Sequence, residues 1–519
     1  MTPTPTTSAA ENVPDIRMST QDALWLTMDR PNNLMIIDGL MWTHRRIPPD
    51  DFRALLAERV VERFPVFSSI PAKTDAGWVW RQFPEFDLDE HLRVIELPGD
   101  AGFAELRELI SVERSRPLEH DRPLWSAILV DNLHAEDGPD GRRRRNRGSA
   151  VIMRSHHSLA DGIRLTQVIL GLCDTMADSA PTTVGKNMKR PDSMEELALE
   201  AVKALSSDAL DAARSTAELA IEEVRLGTDP RAGVPVLGSM LRATSGAVGL
   251  VRNPTRLADV AQSFGSATNR SVNDVAAVTK LLMAPPSTRT VWSGEPGVAK
   301  SADWAPTLPL AEVKAIGRAT GSTVNDVLIG AVAGALTRYL RHHGDHDTDE
   351  LLWMVPVSVR PFEEQPTSLG NHFALVAVRL PIGEDNVAER LRKLHAEMDR
   401  IKASDEAALT YTVQRAISQA PTPLAVGLTN FLADKAVGVL TNVPGPRSPL
   451  GIAGREVAGV LAWAPCSGKQ VMTICIFSYN GKVSVGFGGD AALVPDIHLL
   501  PKFLTEEFEK MREVLIPES

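Results

Sequence analysis

The sequence predicts an α/β protein with two sheet-containing domains, and three observations support this fold class. The chain has 519 residues, too many for one ordinary hydrophobic core and suited to two domains of roughly 200 residues each. Apolar runs of strand length alternate with amphipathic helical patterns in both halves of the chain. A long segment rich in Ala, Gly, Pro and Ser separates the halves, and its first part has strong helical propensity.

These patterns divide the chain into four segments. A flexible tail rich in Thr and Pro covers residues 1–17, and an N-terminal domain covers 18–185. A helical connector occupies 186–290, and a C-terminal domain with its own α/β pattern occupies 291–519. No fixed-period repeat is visible in the sequence, which argues against a solenoid.

The composition favours a folded protein and argues against several classes of function. Hydrophobic residues make up 43% and charged residues 23% of the chain, and the net charge of −11 does not favour nucleic acid as a partner. The sequence has neither a secretory signal pattern nor a run of about 18 apolar residues that predicts a membrane-spanning helix. Cys173, Cys466 and Cys475 form no metal-type cluster and suit reduced thiols in the cytoplasm.

In the N-terminal domain, helix and strand patterns follow one another closely. Ser19 precedes a helical pattern as an N-cap residue, and residues 34–42 have the composition of a strand. Residues 50–64 place their apolar side chains on one helical face. A second amphipathic helix is expected over 103–116, because the residue before Pro117 is disfavoured in helical conformation.

Two strands, at 124–133 and 150–155, are expected to form a hairpin with a long polar loop. The loop contains four consecutive arginines, at 142–145. Such a charge run is either a solvated loop or a contact with anionic lipid headgroups, where each basic residue contributes about 1 kcal/mol.

The C-terminal domain repeats the alternation of helices and strands. Helices are expected at 310–321 and 324–343, followed by a strand at 351–359. Further strands are expected at 373–380, 471–480 and 482–489, with a final helix at 498–515. The glycine content of 485–490 also suits a tight hairpin. His342 and His343 are expected at a solvated helix end, where histidine suits the helix dipole.

The segment His156-His157-Ser158-Leu159-Ala160-Asp161-Gly162 carries the strongest chemical signal. It follows a strand and precedes a helix, so a histidine there stands on a sharp turn. The neutral form of His157 accepts a hydroxyl proton near neutral pH and returns it to a leaving group. Asp161 is expected to hold the turn by a charge-assisted bond to an arginine, with Arg360 as the candidate partner. Gly162 is expected to allow either a close backbone approach or a positive φ angle.

This segment resembles the HHxxxDG active-site motif of the chloramphenicol acetyltransferase-like superfamily. Other segments narrow the resemblance to the bacterial wax ester synthase/diacylglycerol acyltransferase family. They are Pro123-Leu124-Trp125, Asn325-Asp326, and the stretches 356–361, 369–373 and 441–446. The ordered combination extends from about Ser19 to the C-terminal helix. The departure of 485–490 from the DFGWG pattern argues against the plant-type branch.

The resemblance implies two similar domains, each a mixed β-sheet flanked by helices, with an active-site tunnel at their interface. Acyl-CoA and an acceptor, either diacylglycerol or a long-chain alcohol, would meet at His157, which would act as the general base beside His156. Asp161 would be the structural aspartate of the motif. A thioester is already activated, so direct attack requires no covalent enzyme intermediate, no cofactor and no metal.

Five further residues have expected roles of different kinds. Asn325 is either the donor to the tetrahedral oxyanion, worth about 3–4 kcal/mol, or a helix N-cap. Pro123, Leu124 and Trp125 are expected in the core or in a tunnel wall that binds substrate. Asp326 is a candidate substrate-binding residue through the same motif.

Three functions compete on these observations. The leading one is a long-chain acyl-CoA:alcohol O-acyltransferase, cytoplasmic and peripherally associated with membrane or lipid inclusions. The second is a condensation-type acyltransferase that uses carrier-protein thioesters. The combination of Pro123-Leu124-Trp125, Asn325-Asp326 and the stretch 442–446 argues against it. The third is a non-catalytic lipid-binding protein on the same fold, for which an intact HHxxxDG motif would be unnecessary.

Overall fold

The computed structural model describes residues 14–134, 147–176, 288–358, 369–404 and 406–516. Within these ranges the strands form two seven-stranded sheets and one three-stranded sheet. The strands are β1 Ile16–Arg17, β2 Ile36–Thr43, β3 Ser69–Thr74, β4 Gly77–Gln82, β5 Leu92–Glu96, β6 Trp125–Leu133, β7 Gly148–His156, β8 Asp174–Thr175, β9 Lys300–Trp304, β10 Leu308–Pro309, β11 Glu350–Ser358, β12 Phe373–Pro381, β13 Gly438–Pro444, β14 Leu450–Ile452, β15 Arg455–Trp463, β16 Met472–Tyr479 and β17 Lys482–Asp490.

The helices lie between these strands and against the two large sheets. They are α1 Thr20–Met28, α2 Pro49–Leu56, α3 Leu88–His91, α4 Phe103–Arg114, α5 Gly162–Gly171, α6 Leu310–Thr320, α7 Val324–His342, α8 Val387–Lys402, α9 Glu406–Gln419, α10 Thr422–Ala433 and α11 Leu499–Leu515. The helices and strands expected from the sequence are confirmed within the described residues. The sequence patterns did not predict the helices α3, α8, α9 and α10 or the strands β1, β3, β4, β5, β8, β9, β10, β13, β14 and β15.

The first large sheet has the order β5-β6-β7-β2-β15-β14-β8 and takes strands from both halves of the chain. Strand β15 lies antiparallel to β2, and Trp463 is opposite Asp38 in the register. The limits 18–185 and 291–519 therefore divide the chain in sequence only, because β14 and β15 of the second segment belong to the sheet built mainly by the first. Near the start of the chain, Ile16 and Arg17 pair with β4, so the expected flexible tail does not extend to residue 17. The connector 186–290 lies outside the described residues up to residue 287.

Strand β7 is buried along its whole length because both faces of the first sheet are covered. Val151 packs in a cluster with residues of α2 and α5. Ile152 packs on the opposite face, in a cluster with residues of α4, β9 and β15. Alternate residues of a strand point to opposite faces, so a strand covered on both sides has a continuous apolar sequence. The motif at the end of β7 therefore begins inside the protein.

The second large sheet has the order β10-β17-β16-β13-β11-β12, with β9 beside β17. Its core includes most of the inward side chains of α7 and α11. Strands β11 and β13 are parallel, and so are β13 and β16, whereas β11 and β12 are antiparallel. Each large sheet is thus mixed and flanked by helices, which confirms the expected fold class.

The two large sheets approach each other closely at Trp463 of β15. A Cβ atom on Gly486 or on Gly488 would lie 3.0 Å from the indole of Trp463. Both glycines belong to the continuous strand β17, so the expected tight hairpin at 485–490 is wrong. The glycines leave room for an indole that comes from the neighbouring sheet.

Candidate active site

The HHxxxDG segment forms a strand end, a turn and a helix start, as expected. The backbone N–H of His156 donates to the carbonyl of Leu124 (3.0 Å), and that of His157 donates to the carbonyl of Met35 (2.7 Å). The N–H of Leu159 then donates to the carbonyl of His156 (3.0 Å), which closes the turn. Helix α5 begins at Gly162. Both histidines are therefore fixed by backbone bonds to segments on either side of β7.

The ring of His157 lies in an aromatic environment built by distant parts of the chain. It stacks on Trp25 of α1, with centroids 4.4 Å apart and planes 21° apart. Phe373 at the start of β12 lies on another side, at 5.5 Å. The residue is 6% exposed, and this burial lowers the pKa of His157 to about 4. The imidazole is therefore neutral at pH 7 and able to accept a proton.

His156 is fully buried, and its ring contacts Ser158 on one side and Asp29 on the other. The backbone N–H of Ser158 donates to its Nδ1 (3.1 Å), and the hydroxyl of Ser158 lies 2.7 Å from the same atom. Its Nε2 lies 3.9 Å from Oδ2 of Asp29. Burial lowers the pKa of His156 to about 3. These contacts give His156 a role in shaping the turn.

Asp161 links the turn to the C-terminal half of the chain through backbone amides. Its Oδ1 accepts the N–H of Arg164 (2.9 Å) as the N-cap of α5, and its Oδ2 accepts the N–H of His372 (2.9 Å). Its own N–H donates to the carbonyl of Gly370 (3.2 Å). Burial raises the pKa of Asp161, and the amide bonds oppose that rise. Arg360, the expected partner, lies outside the described residues.

Gly162 does not meet either of the two expectations made for it. It opens helix α5 and is not among the described residues with positive φ. A Cβ atom at this position would meet only Ile37 Cδ1, at 3.9 Å, which is an ordinary contact. Neither backbone strain nor close packing against the described residues explains the glycine.

Three residues near His157 were missed by sequence reasoning: Trp25, Asp22 and Asn371. The amide nitrogen of Asn371 donates both to the carbonyl of His157 (2.7 Å) and to Oδ1 of Asp22 (2.8 Å). Asp22 is also the third residue of the α1 capping box that begins at Ser19. The Ser-to-Asp spacing at 19–22 and the motif at 369–373 were the available signals, but neither indicated that these segments meet at residue 157.

The Asn-Asp pair at the start of α7 is held within the C-terminal half. Thr323 is the N-cap of this helix, so the reading of Asn325 as an N-cap is wrong. Oδ1 of Asn325 accepts the amide nitrogen of Asn442 (2.8 Å). Asp326 is fully buried and bonds to the N–H of Thr323 (2.8 Å) and to Nδ1 of His395 (2.7 Å). These contacts give Asp326 a structural position and do not support the expected substrate contact.

The segment Pro123-Leu124-Trp125 packs in the core and supports β7. The indole N–H of Trp125 donates to the carbonyl of Phe67 (2.7 Å), and its ring stacks on His91. Pro123 and Leu124 are also buried, and the carbonyl of Leu124 holds the backbone of His156. Of the two expected roles, the core position is supported by these contacts, whereas none of them indicates a tunnel wall.

Two proteins from Mycobacterium tuberculosis resemble this chain along most of its length. The protein named probable diacylglycerol O-acyltransferase tgs1 of Mycobacterium tuberculosis is 26% identical over 438 residues, which cover 83% of this chain and 81% of that protein. A second M. tuberculosis protein, also named as a diacylglycerol O-acyltransferase, is 26% identical over 469 residues, covering 88% of this chain and 86% of its own.

Solved structures share the fold at lower sequence identity. The wax ester synthase/diacylglycerol acyltransferase from Marinobacter aquaeolei VT8 has a TM-score of 0.61 at 19% identity, covering 96% of this chain and 99% of that one. The first condensation domain of the calcium-dependent antibiotic synthetase has a TM-score of 0.56 at 15% identity, covering 97% and 98%.

Two family models match the chain directly. The wax ester synthase/diacylglycerol acyltransferase catalytic domain matches residues 18–328, and the WS/DGAT C-terminal domain matches residues 369–512. The first match includes the HHxxxDG turn with His157, and the second includes Asn371. The chain therefore belongs to the wax ester synthase/diacylglycerol acyltransferase family.

Proposed function

We propose that this acyltransferase moves a long-chain acyl group from acyl-CoA to the hydroxyl of diacylglycerol, with His157 as the general base. The observation that carries the proposal is the neutral imidazole of His157, held at a buried strand end against Trp25 and Phe373. A desolvated, neutral histidine at a fixed position is suited to take a proton from an alcohol that has no charge of its own.

The reaction proceeds by direct attack. The ring of His157 takes the hydroxyl proton as the alcohol oxygen bonds to the thioester carbonyl carbon, giving a tetrahedral oxyanion. The carbon–sulfur bond then breaks, and the imidazolium returns the proton to the CoA thiolate. An ester and free CoA-SH result, so protons and electrons balance. Asn325 stays the candidate oxyanion donor, because its amide oxygen is engaged by Asn442 and its amide nitrogen is the donating group.

Diacylglycerol is the preferred acceptor in this proposal because the relatives from M. tuberculosis carry the name of that activity. A long-chain alcohol, which would give a wax ester, is the second acceptor, and it requires the same chemistry at His157. The condensation-type reading shares only the fold with this chain, at 15% identity.

The test is a thiol-release assay with palmitoyl-CoA, in the presence and absence of diacylglycerol or hexadecanol. Release should depend on the acceptor, and His157→Ala should reduce kcat/KM by about 1,000-fold or more, since general-base catalysis contributes 10²–10⁴-fold. His343→Ala is the matched control, because this exposed histidine at the end of α7 should leave the rate unchanged. Full activity of His157→Ala would refute the assignment of the base. Release with a carrier-protein thioester, and not with palmitoyl-CoA, would support the condensation-type reading.

Surface association with membrane or lipid inclusions is part of this proposal. Among the described residues, no helix combines the length and apolar composition needed to cross a bilayer. The arginine run 142–145 lies outside those residues and remains the candidate for contact with anionic headgroups. Flotation with anionic liposomes should capture the protein, and raising the salt concentration should release it. Binding that does not respond to salt would remove the arginines from the proposal.

A further inference from the structure

The antiparallel ladder between β2 and β7 opens at His157, where the HHxxxDG turn begins. Ile36 is opposite His156 in the register of these strands, so Met35 and His157 are the next partners. The N–H of His157 donates to the carbonyl of Met35 (2.7 Å). In an antiparallel ladder, such a pair normally exchanges a second bond in return. Here, side chains take both of the backbone groups that would form the second bond.

Two aspartates of the α1 region hold these backbone groups, one directly and one through an asparagine. The N–H of Met35 donates to Oδ1 of Asp29 (2.7 Å). The carbonyl of His157 accepts the amide nitrogen of Asn371 (2.7 Å), which also donates to Oδ1 of Asp22 (2.8 Å). Asp22 lies in the first turn of α1, and Asp29 is its C-cap residue. The open pair is therefore held from both ends of one helix.

The spacing of these residues places them along one side of α1. Asp22, Trp25 and Asp29 follow the i, i+3, i+7 pattern of side chains that share a helical face. Trp25, in the middle, stacks on the ring of His157 with centroids 4.4 Å apart. One face of α1 therefore contacts the imidazole itself and is linked to the backbone on both sides of the open pair.

The carboxylate of Asp29 is suited to this role because donors surround it. Its Oδ2 accepts Nε2–H of His120 (3.1 Å). Nδ1 of His156 accepts the N–H of Ser158, so the proton of this neutral ring lies on Nε2, which faces Oδ2 at 3.9 Å. Burial acts to raise the pKa of Asp29, but hydrogen bonds from His120 and from the Met35 amide bring it below its ordinary value. Asp29 is therefore ionised at pH 7 and accepts at both oxygens.

The bond from Met35 to Asp29 bears directly on the position of His157. Met35 is buried, so its N–H requires an acceptor inside the protein. If the carboxylate of Asp29 is removed, the acceptor that the ladder supplies is the carbonyl of His157. That bond would compete with Asn371 for the same carbonyl and would draw β2 and β7 together. The place of the imidazole therefore depends on the side chain of residue 29.

We propose that Asp29 is a positioning residue for acyl transfer, which keeps the β2–β7 ladder open at residue 157 and so fixes the place of the imidazole. Asp29 acts through the backbone of Met35 and not by contact with substrate. The pair of Asp22 and Asn371 acts in the same way on the carbonyl of His157. This inference rests on the proposed function, since it requires His157 to be the base.

The test compares variants of the full-length chain in the thiol-release assay with palmitoyl-CoA and diacylglycerol. Asp29→Ala should lower kcat by about 10-fold or more at nearly constant KM for palmitoyl-CoA, because small misplacement of a base is costly. Asp29→Asn should lose less, because its amide oxygen can still accept the Met35 N–H. His120→Ala is the matched control. It removes the partly exposed partner of the other carboxylate oxygen and should leave kcat unchanged.

Unchanged kcat in Asp29→Ala, or an equal loss in His120→Ala, would overturn the proposal. A crystal structure of Asp29→Ala should show the ring of His157 displaced, and an unmoved ring would overturn it as well. If Asp29→Ala fails to fold, Asp29→Glu replaces it, since it keeps the charge but moves the carboxylate by one methylene. Unchanged kcat in that variant would have the same meaning.

His157→Ala separates this inference from the proposed function. Full activity of His157→Ala would refute the assignment of the base, whatever the Asp29 variants do. Loss of activity in His157→Ala together with normal kcat in Asp29→Ala would refute the positioning role alone.

Discussion

The chain contains two adjacent histidine pairs, and their surroundings are opposite. His156 ends the fully buried strand β7 and His157 follows it in the turn, and burial lowers the pKa of both rings. His342 and His343 end helix α7 and are exposed, as the sequence indicated. An aspartate lies near each pair, Asp29 beside His156 and Asp496 beside His343, so the residue types alone do not distinguish a buried turn from a solvated helix end.

The difference lies in how far the neighbours of each pair cover its rings. His343 contacts Tyr339, four residues earlier, at 4.6 Å between ring centroids, and it pairs with the distant Asp496, yet it stays exposed. His157 packs against Trp25 and Phe373, which lie 132 and 216 positions away (157 − 25 and 373 − 157). The packing of these distant segments leaves His157 only 6% exposed. A general base of lowered pKa requires such burial.

After the loss of His157 itself, the largest effect should come from the aspartate of the HHxxxDG turn, and Asp496 beside the exposed pair provides the comparison. Asp161→Asn replaces a double acceptor of backbone amides by a side chain with one acceptor and one donor group. We expect a loss of about 1–3 kcal/mol in the free energy of unfolding, with at least a tenfold fall in kcat/KM. Asp496→Asn should change the rate by less than about twofold, because a partly exposed ion pair contributes little.

Urea unfolding and the thiol-release assay measure both quantities for Asp161→Asn. Stability and activity should fall together if the aspartate acts by holding the turn to residues 370–372. A loss of activity at full stability would instead assign Asp161 a direct chemical role.

The next effect concerns Asn371, which has no counterpart at the exposed pair. Asn371→Ala removes the side-chain bonds to the carbonyl of His157 and to Asp22, and the buried carboxylate of Asp22 keeps only the backbone N–H of residue 371 from this position. We expect kcat to fall by about 10-fold or more, because small misplacement of a base is costly, while KM for palmitoyl-CoA changes little. Asn371→Gln is the comparison variant, since it retains the amide but shifts it by one methylene. Equal loss in kcat and gain in KM would argue that Asn371 contacts substrate instead.

The smallest effect should be a shift of the acid limb of the kcat/KM profile to lower pH. Because burial lowers the pKa of His157 to about 4, the base stays neutral, and kcat/KM should be level from pH 7 down to about pH 5. Below the ordinary histidine pKa of about 6.5, the unfolded chain binds protons that the folded chain does not. The free energy of unfolding should therefore decrease as pH falls from 6.5 towards 4, with no contribution from this group above 6.5.

Rates and unfolding curves in buffers from pH 4 to 8 check this shift. An acid limb near pH 6.5 would mean that the ring of His157 is solvated, as those at the end of α7 are. The contrast between the two histidine pairs would then be lost.

Local patterns in the sequence determined the fold class and the chemistry of the motif. The apolar run before His156 and the amphipathic run after Gly162 specify a strand, a turn and a helix, because each depends on residues a few positions apart. Ser19 was recognised as a cap for the same reason. The family resemblance, carried by short ordered motifs, extended these patterns to an acyl-transfer function.

Only the tertiary structure decided which distant residues meet. Asn371 bonds to residue 157 across 214 positions, Asp161 bonds to the amide of His372, and β15 enters the first sheet from the far end of the chain. Asp29, His120 and His156 likewise come together from three separate elements. Spacing along the chain encodes contacts within a helix or a strand, whereas burial and hydrogen bonding between segments depend on how the sheets pack. For that reason the candidate base could be predicted from the sequence, and its environment could not.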